Sequence, residues 1–267
     1  MASNKEEELK EVLYDTEALK RKSVSGFGWA VLQQGLGRII SFTVMLLLAR
    51  FLTPEDFGAL AAVAILTDIA RVLSDGGFGA SLARSPEVDE RDINSVFYFN
   101  LAMSGLCYLI IFVAAPWIAD FFHAPNLVPL MRVQSLSLIL GALGTIQWIL
   151  IWRAMNFRVQ TWSSASSTLV GGIVGCTMAN LGYGPWSLVA QELSRAFTFM
   201  VFNWYASWWR PKLMFSVPHF KKHFAFGSRM ATAQVLTVAY DKVSTILIGR
   251  FFSQRELGLF NQAKTFE

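Results

Sequence analysis

The sequence predicts an all-α integral membrane protein with about seven transmembrane helices. Of its 267 residues, 54% are hydrophobic and only 16% are charged, and the mean hydropathy is +0.41. A soluble domain of this length would need a larger polar fraction to cover its surface. Several apolar stretches reach the ~20 residues that cross the hydrocarbon core of a bilayer. We therefore expect a chain that crosses the membrane many times.

The predicted helices are separated by short polar or proline-containing turns. They cover residues 26–51, 57–80, 95–115, 130–152, 163–182, 186–207 and 223–250. The nine tryptophans lie near the ends of these stretches, as expected for rings that favour the depth of the lipid headgroups.

The basic residues predict how the helices are oriented. With a cytoplasmic N-terminus, eleven lysines and arginines fall on the inner side, whereas the outer loops hold only Arg50 and Arg132. Cytoplasmic loops carry an excess of lysine and arginine, so we expect the N-terminus in the cytoplasm. Residues 1–22 are charged and have no apolar core, so they are not a signal peptide.

Several classes of function lack the residues that they would need. Cys107 and Cys176 lie inside apolar stretches and form no CxxC motif. His123, His219 and His223 lie in loops or at a helix start, without matching carboxylates. The sequence has neither a basic stripe suited to nucleic acid nor a Walker motif. We therefore expect no enzyme activity, metal, cofactor or nucleic-acid partner.

Small residues recur at every fourth position of the fifth predicted helix. They are Ser167, Gly171, Gly175 and Ala179. Small residues at this spacing let two helix backbones approach closely. We expect this face to pack against another helix and not to bind substrate.

An internal repeat relates the first and seventh predicted helices. Arg50 matches Arg250 and Gly58 matches Gly258, with similar residues between them, at an offset of 200 positions. Repeats of this kind build transporters, whose substrate site lies between the two copies. Because the copies are six helices apart, an even number, we expect both to run in the same direction across the membrane.

The repeat divides the chain into four parts. We predict a cytoplasmic tail (1–22), an N-terminal transmembrane lobe of about six helices (23–207), a cytoplasmic linker (208–222) and the start of a C-terminal lobe (223–267). The last part would hold helix seven alone, with the partner of helix two just beginning where the sequence stops. We therefore interpret the chain as a truncated or split protein.

Six short segments carry a family resemblance. The most specific is Ala49 to Gly58 (ARFLTPEDFG); the others are Lys22 to Gly26 with Trp29, Asp75 to Gly79, Met155 to Phe157, Gly182 to Trp186, and Ile248 to Arg250. Over about residues 20 to 267 the chain resembles Wzx-type polysaccharide flippases, in the colanic-acid-exporter-like branch of the multidrug/oligosaccharidyl-lipid/polysaccharide (MOP) superfamily.

The resemblance implies a transporter of two six-helix lobes around a central cavity. This chain would supply the N-terminal lobe and the first helix of the second lobe. Such proteins move undecaprenyl-pyrophosphate-linked oligosaccharides across the bacterial inner membrane by alternating access. The implied partners are that lipid-linked oligosaccharide, membrane lipids and the polysaccharide polymerase machinery. The chain departs from the family pattern in its acidic N-terminal extension and in its incomplete second lobe.

Seven ionisable residues lie near the middle of predicted helices, where an isolated charge costs a few kcal/mol or more. They are Arg38 in helix one, Asp68 and Arg71 in helix two, Glu192 and Arg195 in helix six, and Asp241 and Lys242 in helix seven. The pairs Asp68/Arg71 and Glu192/Arg195 have i,i+3 spacing, so each could close a purely structural ion pair on its own helix. Arg38 has no such local partner.

The functional interpretation follows from the charge of the implied substrate. Guanidinium groups bind phosphate in bidentate geometry, and in the family helices one, two and seven line the cavity. We therefore predict that Arg38 and Arg71 hold the substrate pyrophosphate and that Asp68 orients Arg71. The other four charged residues are predicted to lie along the translocation path.

Three alternatives stay open at this point. A cation-coupled multidrug antiporter of the same superfamily would need acids without compensating arginines, whereas arginines dominate here. A polytopic membrane glycosyl- or acyltransferase would need catalytic acids or a histidine at a membrane face. The third alternative is a folded half that transports nothing alone.

Overall fold

The computed structural model describes residues 28, 29, 31–85 and 88–264, which form α-helices joined by short turns and contain no β-strand. The helices are α1 (Val31–Phe51), α2 (Pro54–Asp75), α3 (Phe78–Arg84), α4 (Glu90–Phe121), α5 (Leu127–Gln134), α6 (Leu136–Arg153), α7 (Phe157–Asn180), α8 (Trp186–Ala206), α9 (Val217–Phe251) and α10 (Gln254–Lys264). The predicted tail, residues 1–22, lies outside the described residues.

The structure has a helix at each of the seven predicted positions, but several helices begin earlier than predicted. α4 begins at Glu90 and not near residue 95, because Asp89 and Asp92 form a capping box at its N-terminus. α9 begins at Val217 and not near residue 223. Acidic residues and prolines that were assigned to loops therefore form the first turns of these helices. The backbone N–H groups of a first turn have no intrahelical acceptor, so acidic side chains are favoured there and proline is tolerated.

Four stretches are both long and apolar enough to cross a membrane: Val31–Phe51, Pro54–Leu82, Glu90–Phe121 and Leu127–Arg153. α7, α8 and α9 have 24, 21 and 35 residues, which is also enough length for a span. These three helices are less apolar, because α7 is rich in serine and threonine and the other two carry charges. Within the described residues, helix length supports seven spans, whereas hydropathy distinguishes four.

The second span is broken between α2 and α3. Gly76 and Gly77 adopt φ angles of 56° and 69°, a left-handed conformation that glycine tolerates best. Asp75, the last residue of α2, accepts hydrogen bonds from the backbone N–H groups of Gly77 and Gly79. The turn therefore fixes the Asp75 carboxylate, which lines the cavity described below.

The predicted small-residue face of α7 packs against α8, and its residues are buried. A Cβ atom on Gly171 would lie 2.7 Å from the carbonyl oxygen of Gln191, and one on Gly175 would lie 2.9 Å from the Gln191 Cβ. The prediction of a close helix–helix contact is confirmed. This contact holds α8, with its charged residues, firmly in the lobe.

The corner between α9 and α10 has the same local structure as the corner between α1 and α2. At the first corner, the backbone N–H and the Oγ1 of Thr53 each donate to an Asp56 carboxylate oxygen at 2.9 Å. At the second, the backbone N–H and the Oγ of Ser253 donate to Glu256 at 2.8 and 2.9 Å. This equivalence at an offset of 200 residues supports the predicted repeat.

The two corners also pack against each other through reciprocal glycine contacts. A Cβ atom on Gly58 would overlap the carbonyl oxygen of Gln254, and a Cβ atom on Gly258 would overlap the carbonyl oxygen of Pro54. At the offset of 200 residues, Gly58 is equivalent to Gly258 and Pro54 is equivalent to Gln254, so the second contact repeats the first with the two copies exchanged. An interface with a two-fold axis has the same reciprocity. The second copy of the repeat therefore packs directly on the first.

Candidate functional site

Four helices of the N-terminal lobe surround a cavity of about 250 Å³, and its lining includes charged side chains. Its polar lining residues include Arg71 and Asp75 from α2, Ser104 from α4, Ser137 from α6, and Glu192 and Arg195 from α8. Pockets that hold drug-sized ligands measure ~300–1,000 Å³. This cavity is slightly smaller than such pockets, so it is too small to enclose a whole oligosaccharide.

Glu192 is the centre of the charged group at the cavity. Its two carboxylate oxygens accept hydrogen bonds from Arg195 Nε at 2.8 Å and Nη2 at 2.6 Å, and Arg71 Nη2 donates to the same carboxylate at 3.0 Å. One acid therefore holds two guanidinium groups, one from its own helix and one from α2. The three residues carry a net positive charge and keep both arginines in place beside the cavity.

Asp68 lies one turn before Arg71 on α2 but does not orient it. The Asp68 carboxylate instead forms an ion pair of 2.7 Å with Lys242 of α9. Asp68 is also close enough to Arg195 for electrostatic attraction. The structure therefore differs from the predicted arrangement, because Glu192 from a distant helix takes the place that Asp68 was expected to fill.

Two of the predicted residues lie apart from this group. Arg38 on α1 is exposed, does not line the cavity and forms no ion pair with the described residues. The Asp241 side chain is exposed as well, and its backbone carbonyl accepts a hydrogen bond of 2.8 Å from Lys264 Nζ. The structure thus brings together five of the seven predicted residues.

Sequence reasoning missed six polar residues that line the cavity, which are Ser74, Asp75, Asn100, Ser104, Ser137 and Thr145. Asp75 continues the series of Asp68 and Arg71 at helical spacing along α2, so periodicity could have identified it. Ser104 and Ser137 gave no comparable signal, because serine is common in transmembrane helices, where its hydroxyl usually bonds the backbone. Only their position in the folded lobe distinguishes these two serines.

A second polar group lies at the N-terminal end of α4, beside the first turn of α9. Nε2 of His219 lies 3.4 Å from the Asp89 carboxylate, so the expectation that this histidine has no nearby acid is wrong. The backbone N–H of Asp92, followed by other contacts that include His219, holds the pKa of Asp89 below its ordinary value. Ligand atoms of the three side chains lie within 4.8 Å of one another. Because the two acids already cap α4, we assign no metal to this group.

These features define a class: a polytopic helical membrane protein with a charged cavity among its spans. Residues 47–267 match the family described as polysaccharide biosynthesis protein, and the chain belongs to that family. The family expected from the ARFLTPEDFG segment and its companions is thereby confirmed.

Two curated relatives show what the chain is similar to. It is 28% identical over 253 residues to the succinoglycan biosynthesis transport protein ExoT of Rhizobium meliloti (strain 1021), a match that covers 94% of this chain and 51% of ExoT. It is 22% identical over 250 residues to the lipopolysaccharide biosynthesis protein WzxC of Escherichia coli (strain K12), covering 92% and 50% of the two chains. The chain spans about half the length of these relatives.

A solved structure resembles the fold. An inward-facing multidrug resistance MATE family transporter of the MOP superfamily superposes with a TM-score of 0.56 at 15% identity, over 88% of this chain and 60% of that chain. At this identity the likeness concerns the fold alone. It confirms the predicted fold class, an all-α membrane protein with the fold of a MOP-type transporter.

Proposed function

We propose that this chain is the N-terminal part of a flippase that moves a lipid-linked oligosaccharide across the bacterial inner membrane for surface polysaccharide synthesis. The observation that carries the proposal is the pair of guanidinium groups of Arg71 and Arg195, held by Glu192 at a cavity between membrane-spanning helices. The family membership and the names of the relatives, which refer to succinoglycan transport and lipopolysaccharide biosynthesis, support a cargo of this kind.

The arginines suit a cargo whose lipid is linked to its sugars through pyrophosphate. The side chains of Arg71 and Arg195 are 50% and 41% exposed, whereas that of Glu192 is 19% exposed. The cations are therefore accessible to an anion, while the acid that positions them is largely covered. A planar guanidinium can form two parallel hydrogen bonds to phosphate oxygens, so we assign the pyrophosphate of an undecaprenyl-linked cargo to this end of the cavity.

The ion pair between Asp68 and Lys242 gives the proposal a mechanical element. It connects α2 of the first lobe to α9, the helix that begins the second lobe. In alternating access the two lobes rearrange around the bound cargo, so a contact of this kind would break or exchange during the cycle. Arg38 and Asp241 complete the proposed path as exposed charges that contact the cargo or the second lobe at another stage.

The orientation of the chain is part of the proposal. The basic residues favour a cytoplasmic N-terminus, with the turn between α4 and α5 outside the cytoplasm. A cysteine introduced at Asn126, in a variant lacking Cys107 and Cys176, should react with an impermeant thiol reagent in intact cells. Protection at Asn126 together with reaction at a cysteine introduced at Ala18 would reverse the orientation.

Export by arginine variants tests the function. The intact protein that contains this chain is expressed in a strain lacking its own exporter, and surface polysaccharide and membrane abundance are measured together. Losing a charge-assisted phosphate contact costs about 1.5–3 kcal/mol, or roughly ten- to a hundredfold in affinity. We expect Arg71→Ala and Arg195→Ala to reduce export strongly at normal abundance. Arg71→Lys should recover part of it, because the charge remains but the planar fork does not.

The control is Arg50→Ala, which removes an exposed arginine outside the cavity that has no hydrogen bond or ion pair with the described residues. Its export should equal that of the unmodified protein. Arg38→Ala tests whether the exposed arginine of α1 also contacts the cargo. Normal export by Arg71→Ala and Arg195→Ala, or a loss that follows lost protein, would remove this cavity from the mechanism.

A further inference from the structure

We propose that His123 and Arg250 form a pH-sensitive latch between the turn that follows α4 and the C-terminal end of α9. The latch is closed while the His123 imidazole is neutral, and it opens when the imidazole takes up a proton. The proposal goes beyond the transport of a cargo. It concerns how the helix that begins the second lobe is held against the first lobe.

The contact joins the two elements through one guanidinium group. Arg250 Nη1 lies 2.8 Å from Nδ1 and 3.0 Å from Nε2 of His123, so it lies against the imidazole ring. The same nitrogen donates to the backbone carbonyl of Phe121 at 2.9 Å, and the guanidinium carbon lies 5.0 Å from the centre of the Phe121 ring. Arginine is not deprotonated in proteins, so this side of the contact is always positively charged.

Protonation of His123 turns this contact from attractive to repulsive. A neutral imidazole has one nitrogen that can accept a hydrogen bond, whereas a protonated imidazole has two donors and no acceptor. The proton also adds a second positive charge beside the guanidinium. Two like unit charges at about 4 Å in water repel by an amount that changes an equilibrium roughly fivefold. Histidine changes charge between about pH 5 and 8, so the contact is formed at the upper end of this range and is lost as the pH falls.

The backbone holds His123 in place beside α9. Its φ angle is 52°, in the left-handed region that residues with a Cβ atom rarely adopt. Backbone hydrogen bonds fix this conformation, from His123 N to the Asp120 carbonyl at 3.1 Å and from Ala124 N to the Ala119 carbonyl at 2.9 Å. The residue is exposed, so protons reach it from water. An exposed titratable group on a fixed backbone can transmit a change of pH to the helix that it contacts.

The other contacts around the turn do not depend on charge. The same turn is linked to α10 by a hydrogen bond of 3.4 Å between Gln254 and Asn126, which is long and uncharged. The two corners pack through Gly58 and Gly258 against backbone carbonyls. Opening of the latch therefore loosens the turn from α9 while the two corners stay packed.

Among the charged side chains on the elements around this turn, Asp120 bears most directly on the latch. It is exposed, forms no ion pair with any described residue and lies three residues before His123. A protonated His123 is attracted to this carboxylate and repelled by Arg250, so both groups favour opening. The other charged side chains are Arg50 of α1, which is exposed, Arg132 of α5, which donates to the Phe112 carbonyl, Asp56 of α2 and Glu256 of α10, which cap their helices, Glu55 and Arg255, which lie 3.8 Å apart, and Lys264, which donates to the Asp241 carbonyl.

The histidine at the other end of α9 responds in the opposite sense. His219 Nε2 lies 3.4 Å from the Asp89 carboxylate, so a proton on His219 strengthens that contact. Acid therefore weakens one attachment of α9 and strengthens the other. General acid denaturation would weaken both, so the two ends of α9 distinguish a latch from a loss of stability.

Hydrogen exchange on the intact protein that contains this chain, in lipid nanodiscs and without cargo, tests the latch. Protection factors, corrected for the intrinsic pH dependence of exchange, are compared for peptides covering residues 118–126 and 247–256. We expect protection in both peptides to fall at least about fivefold between about pH 8 and pH 5, as the repulsion of two charges requires. The first turn of α9, at 217–221, should not lose protection.

Three variants assign the change to the latch. His123→Asn keeps an uncharged residue that tolerates the left-handed conformation, so protection should stay high at both pH values. His123→Lys carries a charge throughout this range, so protection should be low at both. Arg250→Gln should lower protection at the higher pH, because the Phe121 carbonyl loses its charged donor. It should show no further fall in acid, because a protonated His123 then has no cation to repel it.

The matched control is His219→Asn, which removes the histidine at the opposite end of α9 and should retain the full pH response of residues 118–126. The latch is wrong if His123→Asn loses as much protection in acid as the unmodified protein, or if His123→Lys is as protected as His123→Asn. A response abolished by His219→Asn would equally overturn it, because the switch would then lie at the other end of α9. None of these results involves the cargo, so the export test of the arginine variants succeeds or fails separately.

Discussion

The α1–α2 corner and the α9–α10 corner, 200 residues apart, have the same caps but different surroundings. Both use a hydroxyl residue before the helix and an acid three residues later. Both place a glycine against a backbone carbonyl of the other corner. Beyond these shared features, α2 continues into the lobe with ten buried residues, whereas α10 buries Leu257 and Gly258 among its described residues.

The equivalent arginines of the two corners show the difference most directly. Arg250 donates to the carbonyl of Phe121 at 2.9 Å and contacts His123 Nδ1 at 2.8 Å. Phe121 is the last residue of α4, where helix carbonyls lack intrahelical donors and favour a cation. Arg50 is exposed and has no hydrogen bond with any described residue.

The comparison separates what a repeat determines from what its surroundings determine. The turn, the cap and the close glycine contact are local properties of the sequence, so they recur at both corners. A long side chain takes its role from whichever neighbour lies within reach. Equivalent positions in the two copies therefore have equivalent backbones but not equivalent functions.

The largest expected effect comes from the glycines that join the corners. Gly58→Ala and Gly258→Ala each place a methyl group against a backbone carbonyl that cannot move aside easily. Overpacking of this kind typically costs about 1–3 kcal/mol. We expect both variants to lower the melting temperature of the detergent-solubilised protein. Because both substitutions disturb one shared contact, the double variant should lose less than the sum of the two single losses.

The control for this prediction is Gly105→Ala in α4, where a Cβ atom would meet nothing within 4 Å. Replacing a helical glycine by alanine without a clash should stabilise the helix by up to ~1 kcal/mol. If Gly58→Ala and Gly258→Ala behave like Gly105→Ala, the reciprocal contact does not exist and the two copies do not pack through these corners.

The fold was largely predictable because its signals are local. Seven long apolar stretches predicted the helices, and small residues at every fourth position predicted the contact between α7 and α8. The starts of α4 and α9 were not predicted, because acidic residues and proline near a helix start look like a loop when only hydropathy is considered. Arg132, which was counted with the outer loops, lies in α5. Its Nε instead donates to the carbonyl of Phe112 at 3.2 Å, which Pro116 leaves without a helical donor.

The candidate site was only partly predictable because its contacts are long-range. The cost of a charge in hydrocarbon was enough to identify Arg71, Glu192 and Arg195. Their partners were not evident, since Glu192 lies 121 positions from Arg71 in the sequence. Local spacing suggested Asp68 as the partner of Arg71. Because α2 packs against α9, Asp68 instead forms its ion pair with Lys242. Ser104 and Ser137 carry no charge, so a search for charged residues within predicted helices could not identify them.

A smaller effect should separate the two arginines. Arg250→Ala removes a charged donor from the end of α4, and hydrogen bonds to charged groups contribute ~1.5–3 kcal/mol when well buried. Since Arg250 is partly exposed, we expect a loss of about 1 kcal/mol in unfolding free energy. Arg50→Ala should leave the melting temperature unchanged. Equal losses in the two variants would show that the first corner has a contact for Arg50 like that of Arg250.

The smallest effect concerns the caps, and it tests whether identical local structures are equally stable. Thr53→Ala and Ser253→Ala each remove a hydroxyl that bonds the backbone N–H three residues later, at 3.4 Å in the first corner and 3.3 Å in the second. Loss of such a cap costs about 1 kcal/mol, which corresponds to roughly a fivefold change in a local opening equilibrium. The consequence should differ, because α2 is held by its buried residues whereas α10 depends more on its cap. Hydrogen exchange followed by mass spectrometry should show faster exchange over 254–264 in Ser253→Ala and little change over 54–75 in Thr53→Ala. The double variant should show the sum of both patterns, because the two hydroxyls share no partner. If exchange rises equally in both segments, burial does not protect the first corner, and the two copies are alike in stability as well as in geometry.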